Sequence, residues 1–284
     1  MAAVVINGKK ISQEVCESIS AKIGKCGGIA PSVALISASA DPASEIYISK
    51  KVQLAESIGI KSSVHKFKYG AKADEIADLI KRLNADTDVH AILLQSPLEE
   101  GLNFRDLVDL IDPRKDVDGL TTINQGKLFT GEPGVVPCTP LGILHLICSV
   151  RRDIAGAHAV VLGRSSIVGK PTAQLLLNEN CSVTVLHSHS QNAAEICRRA
   201  DIVVSAIAKP KYITRDFIKP GAIVIDVGVN RIEIDGTKKI VGDVDFDAVS
   251  EIAAAISPVP NGVGPMTVAY LMHNALQLSR MGRI

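Results

Sequence analysis

Ala159-Val160-Val161-Leu162-Gly163-Arg164-Ser165-Ser166-Ile167-Val168-Gly169-Lys170-Pro171 lies just past the middle of a chain of 284 residues. A β-branched apolar run breaks at a glycine, and a helix-like stretch begins a few residues later. A strand feeds a helix N-terminus in this way, and free backbone N–H groups and the helix dipole there favour an anion. The stretch departs from the usual G-x-G-x-x-G dinucleotide fingerprint. Ser165 replaces the second glycine, and Arg164 follows the first. Such a turn offers a hydroxyl and a guanidinium to phosphate, where the usual turn offers backbone alone. Taken by itself it is also compatible with an ordinary strand–helix turn.

The surrounding half of the chain has the pattern of a doubly wound sheet. Thr139-Pro140 reads as an N-cap and proline pair opening a helix to about Val150. Strand 159–162, helix 168–178, strand 183–186, helix 191–199 and strands 202–206 and 222–227 follow, a nucleotide-binding layout. Residues 231–234 and 238–241 flank Asp235-Gly236-Thr237 as a small hairpin. An apolar helix, 266–280, closes the chain and is expected to pack back on the first half.

The first half alternates as well. Strand 32–36 precedes Asp41-Pro42, an N-cap and proline that open a helix running to about Ile58 and stopping at Gly59. Strand 62–67, helix 73–84 and buried strand 89–94 follow, and helices between strands imply parallel pairing through right-handed crossovers. Residues 112–119 form a charged loop. Gly126, Gly131, Pro133, Gly134 and Pro137 then mark a boundary. The predicted fold is α/β with two α/β domains, the second a Rossmann-like doubly wound parallel sheet. The first spans 1–138 and is completed by the C-terminal helix 266–284; the second spans 139–265.

Composition removes several classes of function. Hydrophobic residues make up 46% and the net charge is +1, with no long basic run, so neither nucleic acid nor a membrane surface is an expected partner. The start, Met1-Ala2-Ala3, lacks the plan of a signal peptide, and no apolar run approaches the roughly twenty residues a bilayer needs. Cys16, Cys26, Cys138, Cys148, Cys181 and Cys197 are scattered without a C-x-x-C pair. They read as reduced thiols of a cytoplasmic protein, with no metal site.

Strand 183–186 ends at His187-Ser188-His189-Ser190, where a site for NAD usually carries an acid for the ribose 2′-hydroxyl. No acid is present. Ser188 with Arg164 suits a 2′-phosphate through charge-assisted hydrogen bonds, which points to NADP; the plainer alternative is that Arg164 is a solvated cation. Tyr47 and Lys51 stand four apart on one helix face. By pattern alone Tyr47 belongs to the core and Lys51 snorkels to solvent. Gln95 follows an apolar strand, and Asp118 lies in a charged turn, Lys115-Asp116-Val117-Asp118-Gly119. Both have plain structural readings. Pro258-Val259-Pro260-Asn261-Gly262-Val263-Gly264-Pro265-Met266-Thr267 interleaves rigid prolines with glycines ahead of a helix, as a fixed loop near a ligand does.

Together these stretches resemble the bifunctional methylenetetrahydrofolate dehydrogenase/methenyltetrahydrofolate cyclohydrolase family. The resemblance runs through Asp41-Pro42-Ala43-Ser44 with Tyr47 and Lys51, Gln95-Ser96-Pro97-Leu98, Lys115–Gly119 and Pro137-Cys138-Thr139-Pro140. It continues through Gly163–Pro171, Gly221–Gly228 and Pro258–Thr267, nearly the whole chain in order. It implies two consecutive reactions in a cleft between the domains, with a folate in the first domain and NADP in the second. A hydride leaves 5,10-methylenetetrahydrofolate for NADP⁺, and the methenyl cation is then hydrolysed to 10-formyltetrahydrofolate. By resemblance Tyr47 stacks on the folate, Asp118 hydrogen-bonds the pterin, and Lys51 is the central catalytic residue positioned by Gln95. Pro260 and Gly262 complete the substrate contacts, while Gly163, Arg164, Ser165, Ser188 and Val229 contact the cofactor. A lysine near a cationic carbon, itself partly desolvated, is expected to have a lowered pKa and to assist attack by water. Hydride transfer needs only alignment. A homodimer is expected by resemblance alone.

Departures from the family pattern are Ser37-Ala38-Ser39-Ala40 ahead of Asp41, Ser96 in place of leucine, Ser257 in place of threonine and Asn261 in place of glycine. Asn tolerates left-handed backbone, so the loop is expected to keep its shape. The alternatives are a monofunctional NAD-dependent dehydrogenase, against which Lys51, Gln95, Arg164 and Ser188 speak, and a non-catalytic NADP-binding sensor. A sensor has no use for Tyr47, Lys51, Gln95 and Asp118.

Overall fold

A computed structural model of the chain describes residues 2–25, 30–39, 42–234 and 236–281. The expected N-cap Asp41, the hairpin residue Asp235 and Cys26 lie outside the described residues. In chain order the strands are β1 (Val4–Val5), β2 (Ser32–Ser37), β3 (Lys61–Lys66), β4 (Ala91–Gln95), β5 (His158–Leu162), β6 (Ser182–Leu186), β7 (Ile202–Ser205), β8 (Ile223–Asp226), β9 (Asn230–Ile234), β10 (Thr237–Val241) and β11 (Ala255–Ile256). The helices are α1 (Gly8–Lys25), α2 (Pro42–Ser57), α3 (Ala73–Ala85), α4 (Phe104–Val108), α5 (Thr122–Thr130), α6 (Cys138–Val150), α7 (Gly169–Asn178), α8 (Ala193–Cys197), α9 (Phe246–Ser250) and α10 (Val263–Met281). They fall into two compact units, Glu14–Val136 with Val268–Ile284, and Met1–Gln13 with Pro137–Thr267.

The first unit is built on a parallel three-stranded sheet in the order β3-β2-β4. Central β2 buries Val33, Ala34, Leu35 and Ile36, as an uninterrupted apolar run does when a parallel strand is covered on both faces. Edge strand β3 begins and ends with Lys61 and Lys66, charges that discourage pairing with another chain. On α3, Ile76, Leu79, Ile80 and Leu83 are buried at helical spacing. Ile92 of β4 donates to the Lys115 carbonyl and accepts from the Val117 N–H, which lays 115–117 beside β4. Asn274 of α10 donates to the carbonyls of Val117 (2.9 Å) and Val136 (3.0 Å). These bonds set the backbone that leads into Asp118.

Helix α5 stands where glycines and prolines predict only a boundary loop. The Thr121 hydroxyl accepts the Asn124 N–H at 3.3 Å, and Gly131 ends the helix at φ 75°. A glycine just beyond the last turn is a stop signal, so it accompanies a helix instead of arguing against one.

The second unit carries a six-stranded, wholly parallel sheet in the order β1-β11-β8-β7-β5-β6. Val160, Leu162, Val203, Val224 and Ile256 lie in one core there. From β5 the chain goes to β6 on one side, then returns past β5 to β7 on the other. The carboxyl end of β5 is therefore the topological switch point, the usual ligand position in such sheets. Sequence patterning puts 1–13 in the first domain. In the structure β1 instead pairs with β11, Val4 with Ala255 and Val5 with Ile256, and a two-residue strand is too short to show periodicity.

Helix α6 starts two residues earlier than expected, with Pro137 and not Thr139 at the N-cap position. Thr139 thus lies within the first turn, and its hydroxyl meets that of Thr267 at 3.0 Å. Helix α8 is shorter than 191–199 because Asn192 takes φ 54°, which a continuing helix does not permit. Strands β9 and β10 pair antiparallel, from Asn230 with Val241 to Ile234 with Thr237.

Candidate active site

Helix α2 turns Ser44, Ile48, Lys51 and Ala55 inward, and all four are buried. Tyr47 lies off that stripe. The result reverses the pattern-based reading: Lys51 is 8% exposed and Tyr47 is 47% exposed. The lysine occupies a core-face position, and the ring stands in solvent one turn away. Lys51 Nζ donates to Gln95 Oε1 at 2.8 Å, and Gln95 Nε2 donates to the Ser96 carbonyl. Gln95 is the last residue of β4, so the carboxyl end of a parallel strand presents the amide to the helix. The Ser96–Pro97 peptide that follows is cis.

The charged turn holds two acids with different surroundings. Asp116 is buried and accepts from the Thr121 N–H (2.8 Å) and from Asn124 Nδ2 (2.9 Å). Its carboxylate shapes the turn. Asp118, two residues on, is half-buried. Spacing alone does not separate the two roles.

In the second unit, the turn after β5 requires glycine. Gly163 has φ 108°, and a Cβ there would collide with the Ala206 carbonyl. A Cβ on Gly169 would strike the carbonyl of Gly163. Ser165 Oγ accepts the N–H groups of Val168 (3.1 Å) and Gly169 (3.3 Å), so this hydroxyl braces the start of α7 with its lone pairs while its proton can still be donated. After β6, His187 N donates to Ser190 Oγ at 2.9 Å and Ser190 N returns to the His187 carbonyl at 2.8 Å. That closed turn carries Ser188. Gly163, Arg164, Ser188, Ala206, Lys209 and Tyr212 help to line one groove of about 330 Å³, and among the described residues no acid lines it.

Val229 is exposed and follows Gly228, whose N–H donates to Asp226 Oδ1 at 2.9 Å. In the proline-rich loop the Val259–Pro260 peptide is cis and Asn261 takes φ 77°, the left-handed conformation for which asparagine is suited. A Cβ on Gly262 would strike the Pro258 carbonyl, and one on Gly8 the Gly262 carbonyl. Gly8, at the start of α1, packs against this loop, and no sequence motif singles it out.

Two buried acids also went unread in the sequence. Asp243 is fully buried and accepts five hydrogen bonds. They come from Ser205 Oγ (3.2 Å), the N–H groups of Ile207 (2.8 Å), Ala208 (3.2 Å) and Lys209 (2.9 Å), and Asn230 Nδ2 (3.0 Å). Asp226 accepts the N–H groups of Gly228, Asp243 and Val244, each at 2.9 Å. Burial pushes the Asp226 carboxyl up to about 6, with the Asp243 charge adding to the rise and the three N–H donors opposing it. Ser257 Oγ accepts the Asp226 N–H at 2.8 Å. Gly228 and Gly242 are glycines because a Cβ on either would run into the carboxylate of Asp243 or Asp226 respectively. The signal was present as acids beside glycines, Asp226-Val227-Gly228 and Gly242-Asp243, but only the fold brings them together.

A parallel sheet wound about a switch point, with a cation-lined groove at that point, is the architecture of a dinucleotide-dependent α/β enzyme. A family model for the NAD(P)-binding domain of tetrahydrofolate dehydrogenase/cyclohydrolase matches residues 137–282, and one for its catalytic domain matches residues 6–118. The chain belongs to the tetrahydrofolate dehydrogenase/cyclohydrolase family. It is 48% identical over 282 residues to bifunctional protein FolD 2 of Pseudomonas savastanoi pv. phaseolicola, covering 99% of this chain and 94% of the relative. It is similar to the crystal structure of the bifunctional FolD enzyme of Campylobacter jejuni, with a TM-score of 0.95, 39% identity, and coverage of 99% of this chain and 100% of that one. The Trypanosoma brucei FolD, complexed with NADP cofactor and inhibitor, superposes with a TM-score of 0.94 at 32% identity, covering 100% of both chains.

Proposed function

We infer that Lys51, held by Gln95, carries the hydrolytic step, and that Arg164 and Ser188 bind the 2′-phosphate of NADP. The chain is a bifunctional enzyme of one-carbon metabolism. It oxidises 5,10-methylenetetrahydrofolate to the 5,10-methenyl form with NADP, and hydrolyses that product to 10-formyltetrahydrofolate. The observation that carries the assignment of the residues is the bond of 2.8 Å between a buried lysine and a neutral amide.

Lys51 is suited to its role by its surroundings. A lysine taken out of water gives up its proton more readily, and a cationic substrate beside it works in the same direction. The free amine accepts a proton from water as the water oxygen bonds to the methenyl carbon. The hydroxyl of the adduct then gives up its proton as its carbon–oxygen bond becomes a carbonyl and the carbon–N5 bond breaks, N5 takes up a proton, and the formyl group remains on N10. Gln95 supports this by holding the amine in place without adding charge. Tyr47, exposed one turn from Lys51, offers a ring on which a pterin can stack. Asp118 is acceptor-only when ionised, which suits the N–H-rich edge of the pterin. In the same reading Pro260 and Gly262 contact the substrate, and the unit built on β3-β2-β4 is the folate-binding one.

The groove of the six-stranded unit fits NADP. Gly163 leaves room for close approach, Arg164 and Lys209 supply positive charge, and no carboxylate competes. Bound there, the cofactor supplies the hydride acceptor. Gly163, Ser165 and Val229 are assigned to its contacts with Arg164 and Ser188. Homodimeric assembly and a cytoplasmic location belong to the same proposal. The first rests on the family resemblance, the second on thiols at Cys16, Cys148, Cys181 and Cys197 that form no disulfide among the described residues. Among the described residues no helix is long and apolar enough to cross a membrane.

The test supplies methylenetetrahydrofolate with NADP⁺ or NAD⁺ and follows reduced nicotinamide. Strong preference for NADP⁺ is expected. Equal use of both contradicts the assignment of Arg164 and Ser188.

A further inference from the structure

Arg164 reaches the cofactor groove from the turn after β5, and Lys209 reaches it from the loop after β7. Neither is ion-paired among the described residues. The groove therefore holds two uncompensated cations and no acid. The Lys209 ammonium lies 5.1 Å from the centroid of the Tyr212 ring, and a cation–π contact of this kind keeps the side chain against the groove wall.

The backbone beneath Lys209 is fixed too. Asp243 accepts the N–H groups of Ile207, Ala208 and Lys209. Ala208 sits at φ 54°, a conformation that an L-residue keeps only where its surroundings enforce it. The Asp243 carboxylate is taken up by these backbone donors, Ser205 Oγ and Asn230 Nδ2, and the Lys209 ammonium stays available to a ligand.

We propose that Lys209 is a specificity-determining residue for NADP, contacting the 2′-phosphate of the adenosine ribose together with Arg164 and Ser188. A phosphate monoester carries about −1.5 to −2 charges at neutral pH, so one guanidinium leaves it under-compensated and a second cation completes the balance. The proposal rests on the reading of this groove as the 2′-phosphate subsite.

The test measures binding of adenosine 2′,5′-bisphosphate and of AMP to the full chain by calorimetry. It compares wild type, Lys209→Met and Arg164→Ala, with thermal unfolding as a check on folding. Lys209→Met keeps the apolar stem and removes the charge. The bisphosphate should bind it about tenfold or more weakly, as loss of a charge-assisted contact implies, with AMP changed less than about twofold. Equal losses for the two nucleotides, or no loss, would overturn the role of Lys209. If Arg164→Ala alone loses the bisphosphate selectively, the subsite reading stands and the Lys209 proposal falls. If neither variant separates the two nucleotides, both fall.

Discussion

Lys51 and Gln95, 44 residues apart in sequence, are joined by one hydrogen bond of 2.8 Å from Nζ to Oε1. A helix and the end of a parallel strand meet at that bond. Gln95 is a neutral partner, so this bond orients the amine without adding charge beside it. The chemistry assigned to Lys51 depends on this choice of amide over carboxylate.

Gln95→Glu tests the dependence. A carboxylate at the same place favours the ammonium form, because an opposite charge within a few ångströms raises the pKa of a lysine. The pH profile for hydrolysis of methenyltetrahydrofolate should move upward by about one unit or more. Activity near neutral pH should fall roughly tenfold for each unit of that displacement. A profile that stays where it was contradicts the positioning role of Gln95.

Gly163→Ala should damage the cofactor turn in two ways. Its φ of 108° disfavours any side chain, and the new methyl would meet the Ala206 carbonyl. Left-handed backbone costs an L-residue about 1–2 kcal/mol, and overpacking typically adds about 1–3 kcal/mol. Tm should drop by about 5–15 °C, with NADP binding weakened as well. A variant that melts with the wild type would show that the turn accommodates a Cβ.

Asp226 gives the six-stranded unit a pH dependence of defined sign. Burial lifts its carboxyl from an ordinary 3.8 to about 6. Between those values the folded chain holds a proton that the unfolded chain has released. The resulting stability is therefore full at low pH and is lost as pH rises through about 6. Near neutrality the buried charge costs on the order of 3 kcal/mol relative to the acid side. Asp226→Asn removes the titration. The stability difference, wild type minus variant, measured by urea unfolding, should decline from about pH 4.5 to about pH 7.5. A difference that does not vary with pH contradicts the perturbed state of Asp226.

Legibility in the sequence followed the kind of signal each feature leaves. Strands β2, β4, β5, β7 and β8 announce themselves because parallel strands buried on both faces are nearly continuous apolar runs. Gly163 and Arg164 drew attention because they follow such a strand, β5, and Ser188 because it follows the edge strand β6. Lys51 was assigned by resemblance, while helical patterning put it in solvent. The reason is that its buried stripe, Ser44, Ile48, Lys51 and Ala55, is half polar and gives no clean amphipathic signal. Helix α5 was hidden by Gly126 and Gly131, and β1 by its length. Asp226 and Asp243 gather backbone and side-chain donors spread over 205–244, and no local pattern encodes that.

The central claim is that one buried lysine serves the hydrolytic step and is dispensable for the transfer of hydride. It is tested most directly by Lys51→Met, with both activities measured on the same preparation. Hydrolysis of methenyltetrahydrofolate should fall by about a hundredfold or more, the usual scale for losing a general base, while NADP⁺-dependent oxidation of methylenetetrahydrofolate persists at least in part. A variant that hydrolyses normally, or that loses both activities to the same degree, would contradict it.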